Sequence, residues 1–440
     1  MRDIIVLAII LGAIPICFFS PYFGVLMWTW IAYFNPHRFT WDYAYHFPVA
    51  WVVAIPTLAG MMLTRKTNRG LLTRETALLL GLWVWFTITW AYAMHNPMFA
   101  DHAVPATTQL QRVSKILLMT VVTILLVTSH KKLKYLCMVV ALSIGALGLK
   151  GAIFGFRTSG ESRVWGAPDS FLADNNDMAL ATNMALPIIF FLARDQERLW
   201  VKLLLRLLFV CGIITVILTY SRGGLLGLAV VLTAISIKSK HKIVGLALLL
   251  VCLFLILSYA PPQWMMRMEG FLHGSLDTSA EGRLNAWRFA WVLASHYPIT
   301  GGGFETFTPE LFGRLTPELR FAGPHSVYFQ LLGEQGFVGL GLFLLLLGCC
   351  WRTLRRLRAR ARKIPSLGWT VSYSHMLEAS LLGYLVSGAF LPRAYFDFYF
   401  QLIAMTIILK VLSRREVALE AAAPEPAPLI ADVAEEVAVT

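Results

Sequence analysis

Apolar runs close to twenty residues long recur from one end of this chain to the other. "IIVLAIILGAIPICFF", "IVGLALLLVCLFLILSY" and "VGLGLFLLLLGCCW" are three of them. Each approaches the roughly 20 residues needed to cross the hydrocarbon core of a bilayer. Only 14% of the 440 residues are charged and 57% are hydrophobic, whereas a soluble domain carries about a quarter charged residues. The chain therefore reads as an all-α polytopic membrane protein. Because such runs recur, Met1–Ser20 reads as one span among many and not as a cleaved signal peptide.

The formal net charge is +13, and its distribution argues against nucleic acid. Basic residues gather in short loops: "TRKTNRGLLTR" (Thr64–Arg74), "HKKLK" (His130–Lys134), "KSKHK" (Lys238–Lys242), "RTLRRLRARARK" (Arg352–Lys363) and "SRR" (Ser413–Arg415). These are cytoplasmic anchors under the positive-inside rule, able to hold anionic headgroups of membrane lipids. The six cysteines all fall in apolar runs, which argues for small buried hydrophobes and against disulfides or zinc.

With the basic loops inside, candidate spans lie near 48–63, 76–94, 114–129, 135–155, 178–194, 202–219, 223–237, 242–259, 325–351, 374–391 and 394–412. Residues 4–34 read either as two short spans split at "SPYFG" or as one broken span. Parity favours a single net crossing, for about twelve spans with both termini inside. The divisions are 1–259, N-terminal transmembrane helices; 260–324, a long periplasmic loop; 325–412, C-terminal transmembrane helices; and 413–440, a disordered cytoplasmic tail rich in Ala, Pro and Glu. Within the loop, Ser279–His296 spaces Leu284, Trp287, Trp291 and Ala294 as an amphipathic helix lying on the membrane interface. "GGGFETF" (Gly301–Phe307) reads as a flexible turn. No internal repeat of the kind that builds many transporters is visible.

Arginines on the outward side are the anomaly in such a chain. Arg222 occupies the short turn "TYSRGG" between two apolar helices. It is either a snorkelling anchor or a guanidinium that grips a phosphate, with Gly223 and Gly224 letting that phosphate approach the backbone. Arg283 stands at the start of the amphipathic helix, where a diphosphate would meet side chain and helix dipole together. Arg288 ranks below it, with snorkelling towards lipid an equal reading. Lys150 and Arg163 are further candidate substrate-binding cations on the same side, Lys150 for an anionic headgroup, with snorkelling an equal reading for it. His325 follows Pro324 at the mouth of a span, where an imidazole can titrate and act as a base. Glu334 lies nine residues later, about 13 Å along a helix, too far to orient His325. An intramembrane hydrogen bond or a contact to a polar substrate remains for it. "FLADNND" offers Asp174 and Asp177, which read first as helix caps; no obligatory metal or cofactor is expected.

"RVWGAPDSFLADNNDMALA", "TYSRGGLLGLAV", "DTSAEGRLNAWRFAWVLASHYPITGGGFETF" and "PHSVYFQLLGEQGFVGL" together resemble the O-antigen ligase/polymerase superfamily. They are most similar to the O-glycosylation ligases associated with exosortase A systems in Gram-negative bacteria. The resemblance runs from about Arg2 to Arg415. It implies a membrane-embedded glycosyltransferase of the bacterial inner membrane, multi-pass, with its active site facing the periplasm. The donor would be a glycan on undecaprenyl diphosphate, and the acceptor a hydroxyl of lipid A-core, another glycan or a protein serine or threonine. By the same resemblance His325 activates the acceptor hydroxyl, while Arg222 and Arg283 bind the diphosphate. The family's transfer is metal-independent and inverting. A repeat-unit polymerase shares this donor and chemistry. A non-catalytic lipid-glycan transporter would instead need polar groups along a crossing pathway, and this chain gathers its ionisable groups at one face.

Overall fold

The computed structural model describes residues 1–64, 67–68, 72–238 and 278–422. The expected span 242–259, the long loop up to residue 277 and the tail from 423 lie outside the described residues. What is described is helical. The helices are α1 (Arg2–Phe19), α2 (Pro21–Phe34), α3 (Val49–Leu63), α4 (Arg74–His95), α5 (Ala103–Leu126), α6 (His130–Arg157), α7 (Asn175–Arg194), α8 (Leu199–Leu218) and α9 (Arg222–Lys238), followed by α10 (Thr278–His296), α11 (Pro309–Leu315), α12 (Val327–Ala361), α13 (Trp369–Gly388) and α14 (Asp397–Ala421). Among the described residues, seven helices are long and apolar enough to cross a membrane, and α3 is a shorter apolar one.

The bundle is built around α7, which is buried almost throughout and packs against α6, α8, α9 and α13. With little hydrophobic drive between helices in lipid, close approach of small residues holds them together. A Cβ on Gly148 of α6 would lie 3.3 Å from the Cα of Gly212 on α8, and Thr215 of α8 donates to the Gly148 carbonyl at 2.6 Å.

Residues 4–34 differ from the single crossing that parity favoured. The Asp3 carboxylate accepts from the backbone N–H groups of Asp42 and Ala44, just ahead of α3. A Cβ on Gly60, late in α3, would meet the carbonyl of Phe18, so α1 and α3 run parallel. Gly24, early in α2, approaches Thr57 of α3 just as closely, so α2 runs the other way. Helices α1 and α2 thus form an antiparallel hairpin broken at Ser20–Pro21, in place of one broken span. The break follows from Pro21, which has no N–H to continue a ladder and is suited to a helix start. Arg2 consequently sits at the end of the bundle opposite the basic loops.

Two further expectations change. Helix α14 continues through Ala421, beyond the point where the disordered tail was expected to begin. Helix α12 is interrupted at Gly336, whose φ of 67° and ψ of −173° are not helical. The segment before the break, 327–335, stays at the His325 end, and the segment after it runs on to the basic end.

Candidate active site

The turn after α8 is shaped by local chemistry. Tyr220 takes a left-handed φ of 57°, and the Ser221 hydroxyl accepts from the Gly224 N–H at 3.0 Å, capping α9. Arg222 is therefore the first residue of α9. The Asn175 side chain donates to the Thr219 carbonyl at 2.7 Å. The Asn183 amide donates to the Gly224 carbonyl at 2.8 Å and to the Ser387 hydroxyl at 3.1 Å. The turn is thus tied to α7 and α13. The two glycines after Arg222 serve this packing and do not leave the backbone open as expected. A Cβ on Gly223 would stand 3.0–3.2 Å from Phe390, and one on Gly224 would stand 2.6 Å from Ala179.

Phe390 also receives the second arginine: the Arg283 guanidinium lies 6.0 Å from its ring centroid. One aromatic side chain therefore sits between the Arg222 turn and Arg283. Helix α10 presents Arg283 and Trp287 one turn apart. The Trp287 indole stacks on Phe329 at 4.8 Å and donates to the Pro324 carbonyl at 3.1 Å. The face expected to meet the membrane is only partly open. Its buried stripe is Ala286, Phe289, Ala290 and Leu293, packed inside the protein, and Ala294 is buried as well. Leu284 and Trp291 remain exposed.

His325 follows Pro324 with a φ of 39°, a region L-residues seldom occupy and one often found at functional sites. Solvent reaches its ring. The protein packed around it lowers its pKa below the usual imidazole value; Arg283 lowers it further and Asp174 opposes them. A neutral imidazole is the form that can accept a proton. Asp174 caps α7, accepting from the Asn176 N–H at 2.8 Å, as capping of "FLADNND" led one to expect.

The other cations fall in different places. Val164 N–H donates to the Leu218 carbonyl at 3.0 Å and Tyr220 hydrogen-bonds the Gly160 carbonyl. This pins the Arg163 segment beside the Arg222 turn. Arg163 and Lys150 line a recess of about 190 Å³ with Trp165 and Phe39, and the Lys150 ammonium lies 3.8 Å from the Phe39 centroid. Among the described residues no contact joins Lys150 to His325. Arg288 is exposed and stands five residues from Arg283, about 140° round the helix.

Glu334 is buried in a network. Tyr395 donates to it at 2.6 Å, Gln330 approaches it at 3.5 Å, and Gln335 donates to the Tyr395 hydroxyl at 2.8 Å. The backbone around it is held by "GGGFETF", which is packed and hydrogen-bonded where a flexible turn was expected. The N–H groups of Gly302 and Gly303 donate to the carbonyls of Gly333 and Glu334, each at 2.9 Å. Gly301 has a φ of 62°, and a Cβ there would lie 2.5 Å from the Gly333 oxygen. Glycine is required because no side chain fits between these two strands of backbone.

Glu334 also lines a cavity of about 260 Å³ that opens beside Gly323 and Pro324. Gln109, Arg112, Glu305, Gln330 and Tyr395 bring polar groups to it, and Phe171 and Phe307 bring rings. Burial raises the Glu305 carboxyl above its ordinary value, with Arg112 acting against the shift. A second cavity of about 520 Å³ shares Arg112, Phe171 and Arg393 and adds His37, Arg38 and Lys115. Arg393 grips Asp177 of α7 with both arms of its guanidinium, Nε to Oδ1 at 2.6 Å. Neither Arg393 nor Phe390 stood out in the amino-acid sequence. Neither belongs to a motif, and both act through partners far away in sequence.

Comparison with known proteins divides the chain into two matched stretches. Residues 1–197 match a family of unknown function (DUF5935), a stretch that includes Lys150 and Arg163. Residues 207–344 match the O-antigen ligase family, a stretch that holds Arg222, Arg283, His325 and Glu334. No curated protein matches the chain. The apolar helices fit a multi-pass membrane protein, and the matched stretch, less than half of the chain, supports the O-antigen ligase superfamily that its motifs resemble.

Proposed function

We propose that the chain transfers a glycan from undecaprenyl diphosphate to an acceptor hydroxyl at the periplasmic face of the inner membrane. The observation that carries this reading is the grouping at one end of the bundle of a neutral-leaning imidazole, His325, with the Arg283 guanidinium, which lies on Phe390, and the Arg222 turn, whose Gly223 packs against the same ring. His325 takes the proton of the acceptor hydroxyl as its oxygen attacks the anomeric carbon. The bond from that carbon to the diphosphate oxygen breaks, and the lipid diphosphate departs with the electron pair. Arg222 and Arg283 stabilise the charge that grows on it, as preorganised cations do best in a site with little water. Attack opposite the leaving group inverts the anomeric centre. Arg163, beside the Arg222 turn, adds positive charge to the donor side.

The acceptor approaches from the other side of Pro324, through the cavity that Gln330, Glu334 and Glu305 line. Lipid A-core and a protein serine or threonine, as in the exosortase-associated ligases, are the acceptors to compare. The test is transfer by purified chain in nanodiscs, with undecaprenyl-diphosphate-linked glycan, each acceptor in turn and EDTA present. Wild type should release undecaprenyl diphosphate and glycosylate one acceptor, and folded His325→Ala should not. Equal transfer by the variant would make His325 structural. Donor binding without transfer to any acceptor would favour a transporter, and chain extension of the donor glycan would identify a repeat-unit polymerase.

A further inference from the structure

The opposite end of the bundle holds a cavity for which the proposed reaction has no use. It measures about 360 Å³ and lies between α4, α12 and α14. Arg352, Arg356 and Arg360 enter it from α12, Lys410 and Arg414 from α14, and Arg74 from the first turn of α4. The one carboxylate there, Glu75, is buried and already engaged: Lys410 donates to it at 2.5 Å and Thr353 at 2.5 Å. Among the described residues, none of the five arginines is within ion-pair distance of a carboxylate.

This arrangement works against itself when empty. Like charges four residues apart on a helix destabilise it, and α12 carries that spacing twice, from Arg352 to Arg356 to Arg360. Helix α14 repeats it with Lys410 and Arg414 on the facing wall. The first turn of α4, capped by Thr73, adds the positive end of a helix dipole. An anion bound between the walls would relieve all three repulsions. We propose that this cavity binds the phosphate headgroup of an anionic phospholipid from the leaflet on the basic side.

Depth selects a lipid over a soluble anion. Arg352 directly follows Trp351, where the apolar run of α12 ends. That is headgroup height for a helix whose preceding turns sit in hydrocarbon. Cys349, Leu357 and Leu72 line the same cavity and offer apolar surface beside the cations. A basic pocket between transmembrane helices is a known way to hold such headgroups, each cation near the surface strengthening attraction about fivefold.

The test is native mass spectrometry of the delipidated full chain in detergent, titrated with phosphatidylglycerol or phosphatidylcholine. Wild type should retain phosphatidylglycerol and not phosphatidylcholine. The variant Arg352→Gln/Arg356→Gln/Arg360→Gln should bind it about a hundredfold more weakly, while Arg355→Gln/Arg362→Gln, outside the cavity, should bind as wild type. Added inorganic pyrophosphate should leave the lipid in place. Equal binding by the triple variant, equal retention of both lipids, or displacement by pyrophosphate would each overturn the assignment, the last in favour of a soluble anion. Should the triple variant not fold, Arg356→Gln alone decides: a fivefold loss supports the site and no loss overturns it.

Discussion

The indole of Trp287 donates to the carbonyl of Pro324 at 3.1 Å, so the helix that carries Arg283 also holds the residue before His325. Arg283 and Trp287 are one turn apart on that helix. Any shift of it moves a diphosphate-binding candidate and the base candidate together.

Removing that bond while keeping the ring is therefore informative. Trp287→Phe preserves stacking on Phe329 and loses a hydrogen bond worth about 1 kcal/mol of stability. Thermal melting should change little. Transfer should fall about tenfold or more, because small misplacements of a reacting group are amplified in rate. A variant as active as wild type would show that the tether does not position His325.

The pH profile follows from the direction of the His325 shift. Burial and Arg283 hold its pKa below 6.5 in the free protein. Since the neutral imidazole is the working form, kcat/KM should rise with pH through an apparent pKa below 6.5 and stay level above it. A profile that keeps rising beyond neutrality would point to another base.

Arginine and lysine should not be interchangeable at the donor site. Arg222→Lys and Arg283→Lys keep the charge but lose the planar fork that meets two phosphate oxygens. We expect each to lower transfer by about one to two orders of magnitude, with glutamine variants lower still. The corresponding change at Arg288, which is exposed, should leave the rate within about twofold of wild type. Initial rates with a fixed donor check all five variants.

The Arg393–Asp177 pair is a stability element. Asp177 is buried and its carboxylate takes both arms of the guanidinium. Removing one partner of such a pair costs about 3–5 kcal/mol, since the other charge is left without compensation. Arg393→Gln should lower the melting temperature clearly, and Arg393→Gln/Asp177→Asn should recover part of the loss. Equal melting of single variant and wild type would assign Arg393 to the cavities it lines and not to the frame.

Gly336→Ala tests the broken helix. The residue needs a positive φ, and its Cβ would fall 2.3 Å from the Ile299 carbonyl oxygen. The variant should express poorly or lose the packing of residues 298–303 on 333–337, seen as faster proteolysis within that segment.

What the residues alone determined was local in origin. Continuous apolar runs specify helices in a bilayer, and basic loops specify which ends of them share a side. Pro324 ahead of an apolar run marked the place of His325, and "TYSRGG" marked Arg222, because each sits at a break in hydrophobicity. Capping by Asp174 was legible for the same reason. Tertiary structure decided the rest. Whether α1 and α2 form a hairpin depended on contacts with α3, and hydrophobicity by itself is silent about direction. The stripe of α10 that packs on protein, Ala286, Phe289 and Leu293, was not legible because its partners lie on distant helices, while Leu284 and Trp291 of the expected face stay exposed. Glu334 found Tyr395, and Gly336 broke its helix against Ile299, both through contacts between segments distant in the chain. Phe390 is the clearest case: a single aromatic side chain carries no periodicity, and only the folded bundle sets it between the Arg222 turn and Arg283.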